Sequence, residues 1–328
     1  LMITHNMQQA LDLGNRLIMM DKGQIILQID AEEKRTLTIN KLMDEFQRIR
    51  GEKLTSDKAL LSVEGGIQMS SASIKLRHLN ALKTVEVDPV TNSFYLNGQR
   101  NGLKDYPVAS PVCGTVYGTI LNYKEDLTAI EEQLHQKPYA APPNAPILYI
   151  KPANTINFHG APIPMPKGVS TLEVGASLGV VIGKKAIAIK EEDAFSYIAG
   201  YTIVNDVSIP HDSIFRPAVP YKARDGFCAI GPWIIDAKNI MDPNSFTIKV
   251  YINNELRLEK NTSTLVRPIA RLLEEITEFM TLDVGDLLLV GIPTASPKVH
   301  VGDQIRIDIS EIGSLENYMM DEEEGCFL

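Results

Sequence analysis

The chain has 328 residues, 44% of them apolar, and a formal net charge of −9. That length allows two or three domains with a sizeable core, and the acidic balance lacks the basic stripe a phosphate-backbone binder needs, so nucleic acid is not an expected partner. No run approaches the roughly 20 apolar residues that span a bilayer, and no basic-then-apolar signal sequence opens the chain, so no membrane association and a cytoplasmic address are expected. Cys113, Cys228 and Cys326 are far apart in sequence and odd in number, which predicts reduced thiols rather than a disulfide framework or a closed zinc site.

The chain opens on an apolar, strand-like run, which predicts further sequence upstream of it. Thr4-His5, a short helix and the strand RLIMMDKGQII then resemble the C-terminal end of an ABC-transporter ATPase, with His5 in the place of the switch histidine. The GxxxxGK[ST] loop whose backbone and lysine hold nucleotide in that family occurs nowhere in the sequence, so ATP hydrolysis is excluded. Asn40 as an N-cap, with Leu42, Phe46 and Ile49 at helical spacing, predicts a terminal amphipathic helix. The Glu64-Gly65-Gly66 codons can spell a purine-rich ribosome-binding site ahead of an ATG at Met69. Residues 1–64 are therefore expected to be an incomplete ATPase fragment joined in frame to a neighbouring reading frame; a Gly-containing linker in a true fusion is the alternative.

Residues 69–110 read as a small β-rich lead-in, with IKLRHL, KTVEV and FYLNG as short strands and turns at Asp88-Pro89 and Asn97-Gly98. Residues 111–328 form the expected core. Asn122 to Gln136 carries Leu127, Ile130 and Leu134 at helical spacing and predicts a surface helix. The Pro-rich YAAPPNAP delivers a strand, ILYIKP. Thr262 to Thr264 are expected to cap a helix whose Leu265, Ile269, Leu272, Leu273, Ile276 and Phe279 form one apolar face. Val284-Gly285-Asp286 and Val301-Gly302-Asp303 set tight turns before LLLVGIP and QIRIDIS. Strands outnumber helices, so the expected class is α+β, mainly β: a mixed β-sandwich or β-roll with peripheral helices.

Within this core VVIGK, YIAGYTIVNDVS and the run Lys222 to Pro232, KARDGFCAIGP, resemble the fumarylacetoacetate hydrolase family. The fold that the resemblance implies agrees with the class read from the strands. It also implies enolate chemistry on a 2-oxo acid, supported by Mg²⁺ or Mn²⁺ acting as a Lewis acid on the developing oxyanion. In the family the ion is held by a Glu-x-Glu pair, which a spacing of two on a strand places on one face, and by the Asp of a following N-D motif. Asp206 matches that Asp. Gly175 and Ser177 stand at the two Glu positions and supply no carboxylate, with Glu173 as a displaced substitute. Asp206 is therefore read either as a metal ligand or as a strand-end aspartate bonding backbone amides, and the metal as weak or absent in this chain alone.

The resemblance places the Lys222 ammonium against the substrate's enolate or carboxylate. Arg224 is a candidate carboxylate clamp, with an ion pair to Asp225 as its rival reading. Arg216 and Asp225 are candidate substrate contacts, and His159 and His211, in turn-rich segments, candidate substrate contacts or proton carriers. The family's His/Glu proton-transfer pair falls on Asp126 and Ala129, so it is absent; His135 reads as exposed. Val290 and Ile292 replace the threonines of a TGTP loop.

These departures resemble one subgroup, the N-terminal half or subunit of bifunctional isomerase/decarboxylases of 4-hydroxyphenylacetate breakdown, in which a second homologous half keeps the acids. The resemblance implies decarboxylation of 5-oxopent-3-ene-1,2,5-tricarboxylate and isomerisation of 2-hydroxyhepta-2,4-diene-1,7-dioate. It also implies a small polycarboxylate substrate and a homo- or hetero-oligomer with a ligand-complete homologue. A catalytically silent stabilising subunit and a metal-dependent acylpyruvate hydrolase are the other readings.

Overall fold

Burial alternates along Ser70–Leu76, so one side of this strand is core and the other half-exposed, as the period of two in its apolar residues requires. A computed structural model of the chain describes residues 17–21, 24–30, 34, 69–79, 81–136, 141–211 and 218–324. The chain divides into two units, Leu1–Ile67 and Gln68–Leu328.

In the first unit, the run expected as a single strand is two. Leu17–Asp21 pairs antiparallel with Gln24–Ile29, with Leu17 opposite Ile29 and both side chains buried. His5, the helix expected from Asn40 to Ile49 and the Glu64-Gly65-Gly66 segment lie outside the described residues.

In the second unit Ser70–Leu76, Leu82–Asp88, Ser93–Leu96 and Gln99–Gly102 form a meander. Its last turn is Asn97-Gly98, where φ is 53° and 77°; two left-handed residues match the twist of a two-residue hairpin. Ser70–Leu76 pairs onward with Cys228–Asp236, and the sheet continues through Ile198–Asp206, Ala176–Ile182, Leu287–Leu289, Val116–Ile120 and Ile147–Lys151. After one 3-10 turn, Ile156–Phe158 runs parallel to Cys228–Ile230, so this part of the sheet closes on itself as a roll. Val116, Val181, Val204, Cys228, Ile230, Leu287 and Leu289 pack together on one face of it.

The other face contributes to a large core shared with a five-stranded sheet, ordered Pro162–Met165, Gly313–Asp321, Gln304–Ile309, Thr247–Ile252 and Glu255–Asn261. Trp233 is fully buried in that core and satisfies its indole N–H on the Ile312 carbonyl at 2.8 Å, as a buried ring N–H must. The architecture is mainly β.

The helices depart from expectation. The segment after Tyr123 is two short helices, Lys124–Ala129 and Glu131–Leu134, and it is not a simple surface helix, because Asp126 and Leu134 are buried. Asn261, not a threonine, caps the Thr262–Thr264 turn, which is 3-10; the long helix starts later, at Ile269–Thr277 after Pro268. Proline suits a helix start because it has no N–H to leave unsatisfied there. Ile269, Leu272, Leu273 and Ile276 are fully buried, but Phe279 lies beyond the helix and is 64% exposed. Among the described residues no helix is long and apolar enough to cross a membrane.

Candidate functional site

The site is built around a buried carboxylate at the end of the strand Ile198–Asp206. Asp206 pairs across to Cys228, and its neighbour Val204 lies in the small apolar cluster, so Asp206 faces the same side of the roll. The strand Ile147–Lys151 sends two side chains to it, Tyr149 and Lys151, which share a face because they are two residues apart. The Lys151 ammonium is 2.6 Å from Asp206 Oδ1, with both side chains fully buried. Lys222 Nζ is 3.2 Å from Oδ2 and 16% exposed, and the Tyr149 hydroxyl donates a short hydrogen bond to the same oxygen. Lys222 Nζ also lies 5.1 Å from the centre of the Tyr149 ring, within the range of a cation–π contact. Gly118 makes this arrangement possible, since a Cβ there would fall 2.1 Å from the Tyr149 ring.

Burial works to raise the Asp206 carboxyl, but the Lys151 and Lys222 charges, with hydrogen bonds from Lys151 and Tyr149, outweigh it and hold the group below the usual carboxylate range. Burial, then the Asp206 charge, pushes the Tyr149 hydroxyl well above an ordinary phenol. Cys228 beside them is pushed up to about 12, chiefly by burial, so it stays a neutral thiol and not a nucleophile. Lys151 also donates to the Lys222 and Phe227 carbonyls, which ties the short helix Val219–Lys222 to the roll and fixes where Lys222 stands.

These residues do not fit the divalent ion that the family resemblance implies. A Cβ on Gly175 would lie 2.0 Å from the Asp206 carbonyl oxygen, so no acid can stand at the first ligand position without moving the backbone. Ser177 is fully buried and its hydroxyl donates to the Leu178 carbonyl. Glu173 exchanges both backbone hydrogen bonds with Ser208, and among the described residues no three His, Cys, Asp or Glu side chains converge to hold a metal. At an effective permittivity of about 20, a divalent ion about 4 Å from a single ammonium is repelled by about 8 kcal/mol. Asp206 therefore has its two oxygens committed to cations the protein already carries.

The remaining candidates are dispersed. Arg224 donates to the Pro220 carbonyl at 2.9 Å and Asp225 accepts from Asn154 at 2.6 Å, so their structural partners are those groups rather than each other. Both line a depression with Pro164, Pro166, Phe227 and Glu322, a lining that includes neither Asp206 nor Lys222. His211 stacks edge-on against Tyr221, with ring centres 4.9 Å apart. Arg216 lies outside the described residues. Asp126, at the family's His position, is buried against Thr294, accepting from its N–H at 3.2 Å and its hydroxyl at 2.8 Å. Burial raises the Asp126 carboxyl despite those hydrogen bonds. Reading the sequence alone missed Tyr149 and Lys151; the available signal was a lysine in an apolar strand, two residues from a tyrosine.

His159 is held structurally: its Nδ1 accepts the Glu316 N–H at 3.1 Å, and burial lowers it to about 4. A depressed folded value means that the unfolded chain takes up the proton first. The contribution is present above about pH 6.5 and is lost as pH falls towards 4, reaching about 3 kcal/mol for a shift of this size. Urea unfolding at pH 7 and pH 4.5 should show His159→Gln losing less stability than the unsubstituted chain; equal losses would contradict this role.

The family model described as fumarylacetoacetate (FAA) hydrolase C-terminal matches residues 115–320. The chain is 41% identical over 211 residues to the 4-hydroxyphenylacetate degradation bifunctional isomerase/decarboxylase of Escherichia coli, covering 64% of this chain and 48% of that protein. It thus spans about half the length of these curated relatives. The 5-carboxymethyl-2-hydroxymuconate delta-isomerase of Mycobacterium smegmatis superposes with a TM-score of 0.63 at 26% identity, over 77% of this chain and 99% of that one. Maleylpyruvate hydrolase of Sphingobium sp. SYK-6, solved with manganese(II) and pyruvate, superposes with a TM-score of 0.56 at 26% identity, over 68% and 77%. The family match does not extend to residues 1–64, and it gives no support to the ATPase fragment expected there.

Proposed function

From the premise that the chain belongs to the fumarylacetoacetate hydrolase family, we propose that it is a cytoplasmic decarboxylase/isomerase subunit of 4-hydroxyphenylacetate catabolism. Its substrates are 5-oxopent-3-ene-1,2,5-tricarboxylate and 2-hydroxyhepta-2,4-diene-1,7-dioate, and it acts beside a homologue that carries the complete acid set. The observation that carries this reading is the Lys222 ammonium, held on Asp206 and only partly buried, where an oxyanion can reach it.

The chemistry asks for one stabilised negative charge. When the carboxyl group vinylogous to the oxo group leaves as carbon dioxide, its C–C electron pair passes through the conjugated double bond to the oxo oxygen. A cation placed there before reaction lowers the barrier because it does not have to reorganise as charge develops. Lys222 sits at 3.2 Å from Asp206, so its position is set before substrate arrives. Proton uptake on that oxygen gives the dienol, and moving a proton between carbon and oxygen completes the isomerisation. A Mg²⁺ or Mn²⁺ in the partner's acid set would supply the same positive charge at the partner's own site.

Residues 111–328 are taken as the catalytic core, 69–110 as its lead-in and 1–64 as the ATPase-like remnant. A second reading, a silent subunit that stabilises the partner, is favoured by Ala129 and Gly175 at positions where the family resemblance places reactive acids. Turnover of the tricarboxylate, followed as carbon dioxide release, separates the two. Under the first reading the pair exceeds the ligand-complete homologue alone; equal rates at matched concentration and equal thermal stability would favour neither a catalytic nor a stabilising role and would refute both.

A further inference from the structure

The Asp206 cluster points to a departure from the metal chemistry of the maleylpyruvate hydrolase structure. We infer that in this chain Asp206 is the counter-ion of an ammonium pair, Lys151 and Lys222, rather than a metal ligand, and that the partly exposed Lys222 binds the carboxylate or enolate oxygen of a 2-oxo acid without a divalent cation. This rests on the enolate-forming reading above and deepens it.

Four observations carry the inference. Lys151 is fully buried 2.6 Å from one Asp206 oxygen, and Lys222 stands 3.2 Å from the other, which also accepts from Tyr149. The first ligand position has no room for a side chain, because a Gly175 Cβ would overlap the Asp206 carbonyl oxygen at 2.0 Å. The Ser177 hydroxyl at the second position is turned to the Leu178 carbonyl. One carboxylate facing two ammonium groups leaves local positive charge, which repels a divalent ion and attracts an anion. Lys151 is sealed and serves structure; Lys222, less buried and anchored by Asp206 and the Tyr149 ring, is the group an anion meets.

Oxalate, a planar mimic of a 2-oxo acid enolate, is a suitable probe with the full chain. Calorimetry in excess EDTA should detect oxalate binding, weakened at least tenfold by Lys222→Met and largely retained by Lys222→Arg, with circular dichroism confirming that both variants fold. Manganese titration followed by electron paramagnetic resonance should show no stoichiometric site, with or without oxalate. One Mn²⁺ per chain that is lost in Asp206→Asn would overturn the inference, and so would oxalate that fails to bind in EDTA. These are binding readouts, so failure of the tricarboxylate assay leaves them intact, and a tight manganese site would refute metal-free binding at Lys222 while leaving the proposed reaction standing.

Discussion

Replacing Lys222 by alanine is expected to lower turnover of the tricarboxylate, measured with the partner homologue present, by about 10²–10³-fold, the usual loss when one preorganised oxyanion-stabilising group is removed. The fall should lie in kcat and in kcat/KM alike if the ammonium meets charge that exists only in the transition state. The fold should survive, because Asp206 keeps Lys151 at 2.6 Å and the Tyr149 hydroxyl, and Lys222 is the more exposed member of the cluster. Lys222→Arg should recover part of the rate, since charge is kept while the geometry of a compact ammonium is lost. Unchanged turnover in Lys222→Ala would transfer the chemistry to the partner and leave the silent-subunit reading.

Restoring the acid that the family pattern expects should damage the protein rather than rebuild a metal site. Gly175→Glu places a Cβ 2.0 Å from the Asp206 carbonyl oxygen and 3.2 Å from Ile292 Cδ1. The first of these atoms is backbone and cannot swing aside. The two strands are locked there by the Asp206 N–H donating to the Gly175 carbonyl at 2.8 Å. Overpacking at such a point costs about 3 kcal/mol, which corresponds to a fall in Tm of about 10 °C for a unit of this size. Gly175→Ala should show most of the same loss, because the overlap begins at Cβ. A Gly175→Glu chain that melted like the unsubstituted one and bound Mn²⁺ stoichiometrically would show that the backbone yields and that only the acid was missing.

Much of the frame was legible beforehand because it depends on short-range pattern. The strands at Leu82–Asp88, Ile147–Lys151 and Gln304–Ile309 follow from apolar runs and alternation, and the turns at Gly98, Gly285 and Gly302 follow from the need for positive φ; the run IKLRHL, read as a strand, is strand only as far as Leu76 and turns at Arg77 to Leu79. Lys222 and Asp206 were legible because each sits in a motif specific to a family. The helices were less so: Thr262 looked like a helix cap, but Pro268 cannot continue a hydrogen-bond ladder and moved the start to Ile269. Arg224 and His159 looked chemical because of their residue type, yet their hydrogen bonds go to Pro220 and Glu316.

By itself the sequence determined which family the chain resembles and that Gly175 and Ser177 stand where that resemblance places two acids, since both follow from residue identity. What replaces them was decided only by the tertiary structure. Tyr149 is 57 residues from Asp206 in sequence, and it reaches the carboxylate because the sheet closes on itself and Gly118 leaves space for its ring. Charge interactions fall off with distance in space rather than along the chain, so no spacing rule reveals that Lys151 and Lys222 meet on one aspartate. The missing acids read as a loss in the sequence; in the folded roll the first of those positions is closed to a side chain, and the Asp206 carboxylate is held by two ammonium groups.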